Sequence, residues 1–449
     1  MELGEIHDHR NRPDDYIASI VGSLSVRKTE KDQFGEVFTP LKIINAMLDQ
    51  LPEEIWSDPT KKWLDPAAGF GNFLMVVYSR LMNGLSDVIP DPNERSAHII
   101  RNMLYMVEYN ETSCQRIREI FGSTMNLCCS SFLDQNGPIF TDGVTTHQFD
   151  IIVGNPPFNA DQTHEGKKGG GSILWDKFVK KSLDTPLLKP DAYLLFVHPA
   201  LWRKPPSDRA MTLFDMMTHR NHMLYLEIHS KPDGKRDFNV QTRYDFYLIQ
   251  KRRPAPGVDM TQVKDQFGSM HTIDLSRWQF LPNHSFELIE PLLTEKPQPH
   301  SVIFSRTQYG TDKPCVGETN QPGSIPLIHS TPRDGPRILW SSLSKESCPG
   351  CVPMIGVPKV IFGESGIHNV IIDLKGEYGI TQCAISLKIP TPIETEGLLM
   401  KQALESEGFA RILNAMSFSN FRIDWRMFLY FKADFYKDVL RISNTRKKY

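Results

Sequence analysis

Residues 150–171 read DIIVGNPPFNADQTHEGKKGGG. An apolar run stops at Asn155, two prolines and Phe158 follow, and a polar loop closes on three glycines. These residue types suit one awkward nucleophile, an exocyclic amine whose lone pair is delocalised into a ring. The Asn155 side-chain oxygen can accept one N–H of such an amine, and the Pro156 carbonyl can accept the other. Two acceptors draw the nitrogen toward tetrahedral geometry and localise its lone pair. Pro156 and Pro157 have fixed φ, which holds the acceptor carbonyl in place. Phe158 offers a face on which a base can stack. No charged base is needed to start the attack, because the amine loses its proton after transfer. The catalysis is positioning plus polarisation.

A second cluster, WLDPAAGFGNFL at 63–74, lies between an expected strand and an expected helix. Gly69 and Gly71 let the backbone turn tightly and approach a ligand. The free N–H groups of the following helix suit an anionic ligand group. The full G-x-G-x-x-G fingerprint is absent, so a plain strand-helix turn explains the glycines equally well when they are taken alone. Glu108, in LYMVEYN, closes the next expected strand. A carboxylate there can accept both hydroxyl hydrogens of a ribose. The spacing from Gly71 exceeds the usual figure of about 20 residues, and the insertion GLSDVIPDPNERSAH at 84–98 accounts for the excess. Together with Asp65, Gly69 and Gly71, Glu108 favours a ribose-bearing ligand over an ordinary strand-end charge.

With these motifs in hand, the chain resembles the S-adenosylmethionine-dependent DNA adenine-N6 methyltransferases of gamma-type motif order. FGEVFTP at 34–40 resembles the motif that lines the methionine end of the cofactor, which implies cofactor contacts for Phe38, Thr39 and Pro40. LDPAAGFGNF at 64–73 resembles the cofactor loop, implicating Asp65, Ala67, Gly69, Phe70 and Gly71. VEYN at 107–110 carries the ribose-binding acid, and IIVGNPPF at 151–158 resembles the catalytic motif, in which Asn155 also borders the cofactor. LLKPDAYLLFVHPALW at 187–202 is similar to the next strand region. FNVQTRYDFYLIQK at 238–251 resembles the motif whose aromatic residue packs on the target base, which gives Phe238 that role. One departure stands out. The family often has Asp before the Phe that holds the cofactor's adenine, whereas this chain has Ser131 before Phe132 in SSFLD. The resemblance implies that Phe132 stacks on that adenine, with Ser131 or Asp134 meeting its amino group. It also implies double-stranded DNA as partner, and either solitary action or a separately encoded restriction endonuclease.

An adenine inside a duplex must be flipped out to reach such a site, at a cost of about a few kcal/mol. Lys167 and Lys168 in the loop after the catalytic motif, and Arg203 and Lys204 near a strand end, are candidates for phosphate contact. Simple solvation explains each as well, and the same holds for Lys235 and Arg236. The net charge of −2 gives no global basic signature, so nucleic-acid contact must come from local patches. Cys348 and Cys351 have CxxC spacing, but no second pair completes a metal site, so no metal is expected.

Near-continuous apolar strands are expected at 63–65, 103–109, 125–129, 149–154, 192–198, 222–228 and 244–250. Helical patterns such as 41–51 and 113–121 lie between them. This alternation predicts a Rossmann-like, doubly wound, mostly parallel sheet of seven strands, the last antiparallel. Three segments follow: a polar, peripheral extension over 1–33, the methyltransferase domain over 34–255 with a linker at 251–257, and a β-rich target-recognition domain over 256–449. A single helix is expected near 396–416. With seven sparse cysteines, no apolar run of 18 residues and a polar N-terminus, the reading is a reduced, cytoplasmic protein without a membrane span. The alternatives are an RNA adenine-N6 or protein glutamine methyltransferase, and a non-catalytic DNA-binding specificity subunit.

Overall fold

Trp63–Asp65 (β1), Leu104–Glu108 (β2), Asn126–Cys129 (β3) and Phe149–Gly154 (β4) are apolar strands. In β1, β2 and β4 burial is almost continuous, the pattern of parallel strands covered on both faces. The computed structural model describes residues 3–26, 38–134, 140, 147–158, 173–206, 212–294, 296–298, 301–304, 316–318, 320, 322–341, 355–418 and 422–445. The chain divides into two units, Met1–Trp202 with Met211–Ser276, and Arg203–Ala210 with Arg277–Tyr449.

The first unit is built on one sheet. Leu188–Pro199 (β5), His222–Ile228 (β6), Tyr244–Gln250 (β7), Thr261–Lys264 (β8) and Met270–Ile273 (β9) complete it, in the order β3-β2-β1-β4-β5-β7-β6-β8-β9. All seven expected strands form. β1 to β5 run parallel, and β7 is antiparallel to both β5 and β6. Among the described residues the sheet has two strands beyond the seven expected, because β8 pairs parallel with β6 and β9 returns antiparallel to β8. The stretch at 251–257 is therefore a turn within the sheet. Arg252 clasps Asp259 through two bonds of 2.7 and 2.9 Å, which closes that turn. The unit ends at Ser276 and not at 255.

The N-terminal extension is not peripheral either. Ile6, Ile17 and Ile20 are buried in the main core with Ile44, Leu74 and Val77. Ile17 and Ile20 share a face of the helix Pro13–Val26 by i,i+3 spacing. Along β5 the side chains alternate. Leu195 and Val197 join this core. His198 turns to the other face and stacks on Trp175 with ring centroids 4.2 Å apart.

The second unit carries two four-stranded sheets. One orders Val302–Ile303, Ala384–Lys388, Lys359–Gly363 and Gly366–Asp373, all antiparallel. The other contains Val316–Gly317, Arg337–Ser341, Ile325–Ser330 and Gly379–Ile380. A buried Lys359–Asp373 ion pair at 2.8 Å joins neighbouring strands of the first. The helix expected at 396–416 is two helices, Glu394–Leu404 and Glu407–Ala415. Ser406 caps the second by accepting from Phe409 N at 3.2 Å.

Candidate active site

The strands β1, β2 and β4 lie side by side, and their carboxyl ends carry Asp65, Glu108 and Asn155. That edge of a parallel sheet is where ligands bind in such folds. After β1 the chain turns through Gly69 and Gly71, both at positive φ (55° and 81°). A Cβ at Gly71 would stand 3.0 Å from the Phe121 ring, so glycine serves both conformation and space there. The helix Asn72–Gly84 starts at once.

Glu108 ties this loop to β2. Its Oε2 accepts from Gly69 N and its Oε1 from Asn110 N, each at 2.7 Å. Burial raises its pKa, and the backbone donors oppose that shift. Asp65 is buried more deeply. Its Oδ1 accepts from Ala67 N at 3.0 Å, while Oδ2 has no hydrogen-bond partner among the described residues. Burial pushes its pKa up to about 8, against the Ala67 bond, with the Glu108 charge adding to the rise.

Asn155 donates through Nδ2 to Thr39 Oγ1 at 3.0 Å. Thr39 is buried. It precedes Pro40, whose carbonyl accepts from Ile43 N and Ile44 N and starts the helix Leu41–Leu48. This bond sets the Asn155 amide, because the carbonyl oxygen must face away from Thr39. Pro156 is buried, Pro157 exposed, and Phe158 and Phe38 half-buried. The Phe158 ring meets Phe238 edge-on, with centroids 6.4 Å apart. Phe238, 7% exposed, in turn packs edge-on against Tyr244 at 4.7 Å. The Phe158 carbonyl accepts from Leu174 N at 3.3 Å. The structure thus assembles Thr39, Asp65, Gly69, Gly71, Glu108 and Asn155 along one strand edge and links Phe158 to Phe238.

Other expected residues are placed differently. Phe132 is 2% exposed and stacks on Phe178 at 5.1 Å, with the Lys181 ammonium 5.0 Å from its ring. Among the described residues the Phe132 ring is thus packed against protein groups, where the resemblance implied a cofactor adenine on it. Ser131 Oγ accepts from Leu133 N at 3.2 Å, a local turn bond. Arg203 is 0% exposed. Its guanidinium donates to the carbonyls of Leu281 (3.2 Å) and Pro282 (2.9 Å) and to Asn283 Oδ1 (3.1 Å). It is a structural cation, not a phosphate contact. Lys204 is half-buried with its ammonium 6.0 Å from the Phe418 ring. Arg236 is held by Asp233 and Asp237, each at 2.7 Å. Lys167, Lys168, Cys348 and Cys351 lie outside the described residues, as do residues 34–37 of the FTP motif.

Sequence reasoning missed Gly154. A Cβ there would stand 2.8 Å from Asp65 Oδ1. The available signal was a glycine closing a buried strand. It also missed Asn72, which is buried with its Oδ1 unpartnered among the described residues.

These groups fit S-adenosylmethionine. They are acceptors, one of them an orphaned buried carboxylate oxygen, and the cofactor brings an ammonium, a sulfonium and ribose hydroxyls. A cation beside Asp65 would offset the burial that now disfavours its charge.

Residues 89–231 match the family model described as Eco57I restriction-modification methylase. A protein of Mycoplasma pneumoniae described as an uncharacterized adenine-specific methylase is 25% identical, over 37% of this chain and 55% of its own length. The chain thus spans about half of that relative. Among solved structures, a modification subunit of a putative type I restriction enzyme from Vibrio vulnificus is 13% identical, covering 59% of this chain and 53% of its own (TM-score 0.40). The type IIL restriction-modification enzyme MmeI in complex with DNA is 11% identical, covering 97% of this chain and 71% of its own (TM-score 0.45). Among the described residues, no helix is long and apolar enough to cross a membrane.

Proposed function

We propose that the chain transfers a methyl group from S-adenosylmethionine to N6 of an adenine flipped out of duplex DNA. The observation that carries this reading is the Asn155–Thr39 bond at the end of β4. It presents the Asn155 carbonyl oxygen as an acceptor next in sequence to the Pro156 carbonyl. When bound, the cofactor supplies a methyl group on an activated sulfonium. Asn155 and Pro156 accept the two N–H bonds of the amine and localise its lone pair. Phe158, braced by Phe238 and by the Leu174 N–H, stacks on the base. Asp65 and Glu108 hold the cationic and ribose parts of the cofactor. The amine proton leaves for solvent after transfer.

The match of residues 89–231 to a restriction-modification methylase model supports this reading, as does the adenine-specific description of the Mycoplasma relative. The second unit is the proposed target-recognition domain. The reading includes action on genomic DNA in the cytoplasm, alone or beside a separately encoded endonuclease. The test is transfer of labelled methyl groups to unmethylated duplex DNA, followed by nucleoside analysis. N6-methyladenine at a short shared sequence is the expected product. Label in RNA or in protein glutamine would overturn the substrate. DNA binding without any transfer would indicate a specificity subunit.

A further inference from the structure

We propose that Cys129 and Cys114 form a reactive dithiol that hydroperoxides oxidise to a disulfide. Neither cysteine belongs to the machinery described above, although both border the backbone of Glu108. Cys129 ends β3, paired across the sheet with Glu108. Cys114 lies in the first turns of the helix Glu111–Phe121, buried, with its thiol 3.5 Å from the Glu108 carbonyl oxygen. The two sulfurs and a Glu111 carboxylate oxygen all lie within 4.8 Å of one another.

The two thiols differ in setting. Cys129 is half-buried, and Arg118 Nη2 donates to its sulfur at 2.9 Å. The sulfur is thus open to a reagent from solution on one side and held by a guanidinium donor on the other. Cys114 is enclosed, and burial, followed by the neighbouring Cys129 sulfur, raises its pKa. It is poor at attacking reagents in solution but stands beside the Cys129 sulfur. Cys128 points to the opposite face of the strand, with its sulfur 3.2 Å from Ser130 Oγ.

The chemistry balances. The Cys129 thiolate attacks one peroxide oxygen and the O–O bond breaks. The departing alkoxide takes a proton and leaves as an alcohol, or as water from hydrogen peroxide. Cys129 is then a sulfenic acid. The Cys114 sulfur attacks it, the S–S bond forms, the S–O bond breaks, and the hydroxide takes the Cys114 proton and leaves as water. Two thiols lose two electrons and two protons, and the peroxide is reduced. The same three ligand atoms could suggest a divalent cation. Arg118, however, donates to both Cys129 and Glu111 (3.2 Å), so a positive charge already holds them.

The experiment treats the reduced full-length protein with one equivalent of hydrogen peroxide and maps its peptides by mass spectrometry. The expected result is a Cys114–Cys129 cross-linked peptide that a dithiol reductant releases. In Cys114→Ser, a 1,3-dicarbonyl probe should capture a sulfenic acid at Cys129. In Arg118→Leu, that capture should slow by about tenfold. Melting curves of both variants close to the parent's would exclude misfolding as the cause. First oxidation at Cys128 or Cys383 would overturn the proposal. So would equal labelling in Cys129→Ser, or a stoichiometric zinc ion that shields both thiols until chelated. None of these outcomes depends on methyl transfer, so the transferase reading stands or falls separately.

Discussion

The amide of Asn155 and the hydroxyl of Thr39 are joined across 116 residues of sequence by one hydrogen bond of 3.0 Å. It makes the FTP and NPPF motifs a single device, in which one fixes the direction the other faces.

Thr39→Val should therefore lower the transfer rate without touching the reacting atoms. A loss of roughly ten- to a hundredfold is expected from a freed Asn155 amide. Cofactor titration by calorimetry should give a dissociation constant far less changed than the rate. Asn155→Ala should lower transfer further, by about a hundredfold or more, again with cofactor binding largely kept. A collapse of cofactor binding in Asn155→Ala would remove the role assigned to it.

Asp65 predicts a pH dependence. Its folded pKa, about 8, lies above the ordinary 3.8, so the ligand-free fold holds a proton that the unfolded chain releases. The fold then binds more protons than the unfolded state between these values, and stability falls as pH rises through that window. The contribution is intact below pH 3.8 and lost by about 8. Asp65→Asn should flatten the melting temperature of the ligand-free protein across that range. The same variant should bind S-adenosylmethionine at least about tenfold more weakly, having lost the carboxylate that meets its cationic end.

Gly154→Ala is a steric test of the same carboxylate. The added methyl would lie 2.8 Å from Asp65 Oδ1. Overpacking of this kind costs about 1–3 kcal/mol. Chemical denaturation should read that loss, together with weakened cofactor binding. Unchanged values in both would mean that β4 does not press on Asp65.

Arg203→Leu separates structure from DNA contact. The buried guanidinium donates to the Leu281 and Pro282 carbonyls and to Asn283, and its removal should cost about 2 kcal/mol or more. The slope of DNA affinity against salt should stay as in the parent, since no phosphate contact is lost. A slope shallower by about one unit would restore the phosphate reading.

The seven main strands were legible because each is a near-continuous apolar run bounded by turn residues. β8 and β9 were not. They have four residues each with mixed burial, and they follow a Pro-Gly turn that reads as a linker. The N-terminal segment reads as peripheral because its inward residues are scattered among polar ones: Ile6, Ile17 and Ile20 are buried, with Leu3, Tyr16 and Val21 packed partly against the same core. Arg203 shows a different limit. A cation beside Lys204 and two prolines looks the same in sequence whether solvated or enclosed. Its fate is set by Leu281–Asn283, about eighty residues on in the chain. Asn155 and Glu108 were legible as polar residues that close apolar runs, and the spacing to Glu108 was not what marked it. The link from Asn155 to Thr39 emerges only when the chain folds.

Glu108 holds Gly69 and Asn110 in the ligand-free chain. The glycine turn is therefore ordered when the protein folds, so a ligand bound against it would carry no further entropic penalty for arranging that turn. If Glu108 also takes the ribose, as proposed, one carboxylate would serve both the fold and the ligand. Sequence drift at position 108 would be checked twice.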